Sequence, residues 1–264
     1  MLPWLIICFA VAMIGVAKSG FGGGLGLMVV PITALALGAV PGYKSEDALG
    51  LLLPLLIVGD FIAIAQYYKL PNWSLVRRLL PGAFVGIVLG TLLIWLFKQQ
   101  KEIAAALIQI EIGLESLFLV ALTWWRQYRG AQHKLLPEPA RAIATSIFAG
   151  VSTTLAHAAG PIIAMYLLPL NLGRQVMVAT SATFFAIANI TKLPTYWQAG
   201  LFDKVSPTFS LLFFPLVLGG AIFGRWLCRR MSDRVFSQII LATVFILGWY
   251  LLAIGTIALI RHTL

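Results

Sequence analysis

Residues 18–26 read Lys18-Ser19-Gly20-Phe21-Gly22-Gly23-Gly24-Leu25-Gly26, and the stretch closes on Pro31. A related interruption stands in the second half of the chain: Thr153-Thr154-Leu155-Ala156-His157-Ala158-Ala159-Gly160-Pro161, closing on Pro169. Each cuts an apolar run that is short for a bilayer crossing, which takes about 20 residues. Breaker-rich interruptions at matching places in two halves point to the binding site of a membrane transporter.

The flanks of these breaks set the class. Hydrophobic residues make up 60% of the 264-residue chain and charged residues 11%, where a soluble domain carries roughly 25% charged residues. Mean hydropathy is +0.94. The runs Leu79–Phe97, Ile103–Trp125 and Val235–Ile260 approach or exceed a membrane span. The chain reads as an all-α polytopic membrane protein of ten apolar segments: 3–18, 25–40, 46–68, 76–97 and 102–125, then 140–156, 160–172, 175–197, 207–228 and 235–260. The first helix is read as retained, because no basic region precedes it and no small-residue cleavage site follows.

Residues 1–125 and 140–264 read as two repeats, joined by a basic cytoplasmic linker at 126–139 that contains Pro137 and Pro139. Pro81, Gly86 and Gly90 recur as Pro215, Gly220 and Gly224 at the same spacing. Each copy forms a Gly-x-x-x-Gly, which lets helix backbones approach closely in lipid. The third segment ends Ala65-Gln66-Tyr67-Tyr68-Lys69 and the eighth ends Pro194-Thr195-Tyr196-Trp197-Gln198. Two copies of a five-segment unit enter the membrane from opposite sides, so the repeats are expected to be inverted, with broken or re-entrant short helices at the start of each. With both termini outside, thirteen of the nineteen basic residues fall on the cytoplasmic side, among them Arg77, Arg78, Arg174, Arg225 and Arg229. The positive-inside bias therefore favours outside termini and a multi-pass protein of the inner membrane.

The net charge of +10 lies in short clusters between apolar segments and does not indicate nucleic acid. Cys8 and Cys228 are far apart inside apolar segments and read as packing residues. No metal or cofactor motif is present. A homodimer is compatible with the sequence.

The glycine run lacks both the Lys-Ser/Thr ending of a P-loop and the Gly-x-Gly-x-x-Gly register of a dinucleotide fold. Its chemistry is that of exposed backbone N–H groups at a helix start, a site for an anion. Gly20, Gly22, Gly23 and Gly24 supply this from the first half and Gly160 from the second; the alternative is close helix packing by glycine. Charged residues inside spans are costly and mark function. Lys18, Lys192 and His157, with Asn189 nearby, are candidates to hold anion oxygens. Asp60 is placed to hold one of these cations while no substrate is bound. The alternatives are snorkelling for Lys192 and a neutral helix-cap role for His157. Glu111 and Glu115 share a helix face. One of them is expected to carry a proton and couple transport, the alternative being ion pairs with neighbouring helices.

At these residues the chain resembles the TauE/SafE sulfite-exporter family of membrane permeases. The resemblance is carried by Ala17 to Gly26, by Leu53-Pro54-Leu55-Leu56 with Gly59-Asp60, and by Arg78-Leu79-Leu80-Pro81-Gly82-Ala83 with Gly86 and Gly90. In the second half it rests on His157-Ala158-Ala159-Gly160-Pro161, Met165-Tyr166-Leu167-Leu168-Pro169 and Asn189-Ile190-Thr191-Lys192-Leu193-Pro194. Ala159 departs from the pattern, which there expects a second glycine, and Glu111 and Glu115 are not part of it. The resemblance implies outward transport of sulfite or small organosulfur anions such as sulfonates. A secondary carrier working by alternating access is expected. Export of an anion from a negative-inside cell is assisted by about 2.3 kcal/mol per charge per 100 mV. The rivals are an anion channel on the same breaks and an intramembrane enzyme using Ser152 and His157, for which no triad signature is present.

Overall fold

The structure, a computed structural model, describes residues 1–23, 26, 29–96 and 138–263, and between 97 and 137 only 106, 109, 110, 113, 114, 117, 118, 120, 121 and 124. Glu111, Glu115, Gly24, most of the 102–125 segment and residues 126–137 of the linker lie outside the described residues. All regular structure among the described residues is helical. In chain order the helices are α1 (Leu2–Phe21), α2 (Val29–Gly38), α3 (Asp47–Gln66), α4 (Trp73–Leu96), α5 (Glu138–Ala156), α6 (Gly160–Leu167), α7 (Arg174–Gln198), α8 (Pro207–Leu211), α9 (Phe214–Arg230) and α10 (Asp233–Thr263). A 3-10 turn, Leu168–Leu170, follows α6.

Five of these, α1, α3, α4, α7 and α10, are long and apolar enough to cross a membrane. Outer faces carry exposed apolar residues, Val88, Leu92 and Trp95 on α4 and, on the shorter α9, Ile222, Phe223 and Trp226, as lipid in place of water allows. The polar side chains are turned inward: Lys18, Asp60, Asn189 and Lys192 are all buried.

The first and ninth segments differ from the sequence reading. The first segment is not short: α1 has 20 residues and runs on through Lys18-Ser19-Gly20-Phe21. Helical hydrogen bonding between packed neighbours outweighs the low helix propensity of one glycine, about 1 kcal/mol. Of the helices that open the two halves, α2 and α6 are the short ones, at 10 and 8 residues. At 1.5 Å per residue neither spans a hydrocarbon core of about 30 Å. The ninth segment is two helices, α8 and α9, separated at Leu212–Phe213. Pro215, with no N–H to give to the preceding turn, starts the new helix at its second residue.

Packing crosses between the halves. α1 lies along α9, and α4 lies along α5. At the first contact Gly15 faces the Val217 carbonyl and the Ala221 amide, and Gly220 faces the Ala12 carbonyl and Val16 amide. At the second, Gly150 faces the Ala83 carbonyl and the Ile87 amide, and Gly86 faces the Ile147 carbonyl and Gly150. None of these four positions has room for a β-carbon. Gly113 meets α10 at Gly248 and Leu252, and Gly255 meets Ala106 and Ile110.

α3 and α7 pack on each other at the centre. Each is tied to a helix end by a tyrosine: the Tyr67 hydroxyl donates to the Ser19 carbonyl at 3.0 Å, and the Tyr196 hydroxyl donates to the Thr154 carbonyl at 2.8 Å. Asn72 anchors the start of α4. Its side-chain oxygen accepts from the Leu75 amide at 3.2 Å, and its own amide donates to Thr180 Oγ1 on α7 at 3.0 Å.

Candidate functional site

α1 ends in a left-handed cap. Gly22 has φ 59° and ψ 30°, and Gly23 has φ 86°. The Gly23 amide closes a seven-residue loop onto the Ala17 carbonyl at 2.9 Å, and the Gly22 amide also reaches that oxygen. This is the capping arrangement that satisfies the last carbonyls of a helix. It corrects the expectation of free amides here: the N–H groups of Gly22 and Gly23 are used by the cap. Gly20 lies inside α1, not in the gap, with its Cβ position 3.0 Å from the Gly224 carbonyl of α9. Its place is that of a close helix contact.

The second gap repeats the cap with different residues. α5 ends at Ala156, His157 takes the left-handed conformation at φ 52°, and the Ala158 amide reaches the Ser152 carbonyl at 3.3 Å. A non-glycine residue in this conformation costs roughly 1–2 kcal/mol. Leu49 and Lys192, which hold the His157 side chain, oppose that cost. The two gaps touch: Gly160, the first residue of α6, abuts the Gly23 carbonyl so closely that no β-carbon fits between them.

Against this contact lie two adjoining polar groups. In the first, Lys18 Nζ of α1 is 2.7 Å from Asp60 Oδ1 of α3. Asn189 Nδ2 of α7 donates to Asp60 Oδ2 at 2.7 Å. The lysine also stands 4.4 Å from the centre of the Phe185 ring. In the second, Lys192 Nζ of α7 donates to the Thr153 carbonyl at 2.8 Å and to Thr153 Oγ1 at 2.9 Å, and lies 3.1 Å from His157 Nδ1. His157 Nε2 is 3.2 Å from the Leu49 carbonyl. A carbonyl only accepts, so Nε2 carries the hydrogen and Nδ1 accepts from Lys192 Nζ; the tautomer is assigned from these partners. Lys192 is 0% exposed, which removes the snorkelling alternative.

A chamber of about 20 Å³ joins the two groups, lined by Lys18, Gly23, Thr153, His157, Gly160 and Asn189. That volume holds roughly one water. An oxyanion of four or five heavy atoms enters only if the walls part.

Ser152 and His157 do not form a nucleophile–base pair. Both ring nitrogens of His157 face other groups, and Ser152 Oγ is buried with no hydrogen-bond partner among the described residues. Three members of the cluster were not singled out as site residues from sequence. Thr153 and Phe185 carry no signal in an apolar run. Tyr196 did carry one, because it repeats Tyr67.

The family described as Sulfite exporter TauE/SafE matches residues 7–251. The chain belongs to this family. The match spans both helix gaps and the whole polar cluster, and makes the chain a member of a family of exporters. No curated protein and no solved structure matched the chain.

Proposed function

We propose that this TauE/SafE protein is a secondary carrier that exports sulfite or a small sulfonate, working by alternating access with two inverted repeats. The observation that carries the reading is the meeting of the two gaps at Gly23 and Gly160 beside two buried lysines and one buried carboxylate. With His157 neutral, Lys18, Lys192 and Asp60 leave one positive charge in excess when both lysines are protonated, which suits a monoanion. Lys18, His157, Asn189 and Lys192 bind it, with the start of α6 at Gly160 adding its positive end. Asp60 holds Lys18 until substrate arrives.

Inverted repeats are supported by contacts that recur in both halves. Gly15 and Gly150 occupy like places, as do Gly220 and Gly86, and Tyr67 and Tyr196 make the same bond. The charge bias places both termini outside and the Arg174 and Arg229 end in the cytoplasm. A chamber closed around about one water supports a carrier over an open channel.

Proteoliposome flux of sulfite, sulfate, thiosulfate and methanesulfonate tests the reading. Saturable movement of sulfite or methanesulfonate is expected, with the compound recovered unchanged and the flux lost in Lys18→Ala. Transport of none of the four, or currents far above carrier turnover, overturns it.

A further inference from the structure

Lys192 has an unusual setting for a lysine. Its three donors are met by three acceptors, all of them neutral: the Thr153 carbonyl, Thr153 Oγ1 and His157 Nδ1. The buried carboxylate nearby is already committed, Oδ1 to Lys18 and Oδ2 to Asn189. The charged and titratable groups that face Lys192 are Lys18 from α1, Asp60 from α3, His157 from the gap after α5 and Tyr196 on its own helix. One lysine of the pair is therefore balanced and the other is not. Burying one unbalanced charge costs several kcal/mol. An anion in the chamber, whose walls include Lys18 and the Thr153 and His157 that hold Lys192, offsets that cost.

Resting on the carrier reading above, we infer that Lys192 and His157 are the proton site of this transporter, so that each monoanion crosses together with one proton and the loaded carrier is electroneutral. Without anion, Lys192 is a neutral amine, Lys18 balances Asp60, and the site has no net charge. With anion, Lys192 is an ammonium, and the site again has no net charge. The two states that reorient are thus the two that are cheapest to bury, while the states holding a lone proton or a lone anion each carry an unbalanced charge. That asymmetry is what makes coupling obligatory.

The proton has a route that keeps every atom accounted for. His157 is half-buried while Lys192 is fully enclosed. An ammonium proton passes from Nζ to Nδ1 as the imidazole releases its other proton from Nε2. The products are a neutral amine accepting from Nδ1–H, an imidazole of the opposite tautomer, and one free proton. The Nζ–Nδ1 hydrogen bond persists with its direction reversed. Tyr196, whose hydroxyl lies 2.8 Å from the Thr154 carbonyl and 3.5 Å from Nε2, can turn to donate to the bared Nε2. Uptake runs the same steps backwards.

The test uses the whole protein in proteoliposomes, with methanesulfonate as first probe because its sulfonate does not titrate, and bisulfite as second. Potential is clamped with potassium and valinomycin, and internal pH is read with a trapped dye. The expected result is one proton per anion, accumulation that changes about tenfold per pH unit, and no response to voltage. An electrogenic monoanion carrier would instead change its accumulation about 50-fold per 100 mV. Lys192→Arg, whose charge is fixed, is expected to lose proton movement. The wild-type ratio decides the matter even if that variant does not fold. Voltage-driven flux of one charge per anion without protons overturns the inference and leaves the carrier reading standing. Movement of neither probe overturns the carrier reading, and the proton site with it.

Discussion

Asp60 and Asn189 face each other across the centre of the molecule, joined by a 2.7 Å hydrogen bond from the amide to the carboxylate. Each sits about two helical turns before a tyrosine, Tyr67 or Tyr196, that ties its helix to the end of a neighbouring helix. The two positions correspond between the halves, yet one carries a charge and the other does not. The difference is what allows Lys18 to be neutralised while Lys192 is met only by neutral acceptors. Near-symmetric scaffolding thus gives the two lysines unlike partners, and only Lys18 lines the chamber directly.

Breaking the ion pair from one side is expected to cost more than removing both partners. Lys18→Met leaves a buried carboxylate without its cation, a loss of about 3–5 kcal/mol, whereas Lys18→Met with Asp60→Asn removes both charges. Thermal unfolding in detergent should rank the double variant above the single one. Asp60→Asn alone frees Lys18, so added methanesulfonate should raise its Tm more than it raises that of the wild type. Equal shifts would show that Asp60 does not compete with the anion.

Adjacent glycines of α9 should respond in opposite ways. Gly220 abuts the Ala12 carbonyl of α1, while a β-carbon at Gly219 meets nothing within 4 Å. Gly220→Ala is expected to force α1 and α9 apart and to lower Tm clearly, by overpacking of about 1–3 kcal/mol. Gly219→Ala should be neutral or mildly stabilising, by up to about 1 kcal/mol from helix propensity. The same split is expected at Gly150→Ala, which meets the Ala83 carbonyl and should behave like Gly220→Ala. Matching Tm values for all three variants would contradict the close packing described here.

The sequence made the membrane class legible because apolar length is a one-dimensional property. It also revealed the Gly86/Gly90 and Gly220/Gly224 pairs, because small residues at helical spacing mark close contacts wherever the partner lies. It did not reveal that these pairs pack across the halves, since α1 meets α9 only in three dimensions. Lys18, Asp60, Asn189, His157 and Lys192 stood out as polar groups in apolar runs, and the structure gathers all five. The reading of Gly22 and Gly23 as amide donors was wrong for a local reason: a glycine that ends a helix turns its N–H back onto that helix. Gly20 was misplaced by one turn, because nothing in Lys18-Ser19-Gly20-Phe21 shows that the helix continues through it.

Orientation can be read by labelling. Lys44 and Lys69 are exposed residues in the turns before α3 and after it. The charge bias puts the first outside and the second inside. In a background lacking Cys8 and Cys228, Lys44→Cys should react with a membrane-impermeant maleimide in intact cells. Lys69→Cys should react only after permeabilisation. The reverse pattern would invert the assigned topology.

The two caps separate stability from transport. Gly22 needs φ 59° and has Ser181 Oγ 3.0 Å from its Cβ position, so Gly22→Ala is expected to lose roughly 1–2 kcal/mol through the left-handed backbone. His157→Gly is the reverse experiment, because it places glycine where the backbone already asks for one. It relieves the cap but removes the imidazole that accepts from Lys192 and faces Leu49. Thermal stability should therefore fall far less than flux does, and His157→Asn, which tolerates φ 52° and keeps a polar side chain, should be at least as stable as His157→Gly. Flux is read in the same proteoliposomes, where His157→Gly should move anion at background rate. Wild-type flux in that variant would assign His157 to the cap alone and leave Lys192 to bind substrate without it.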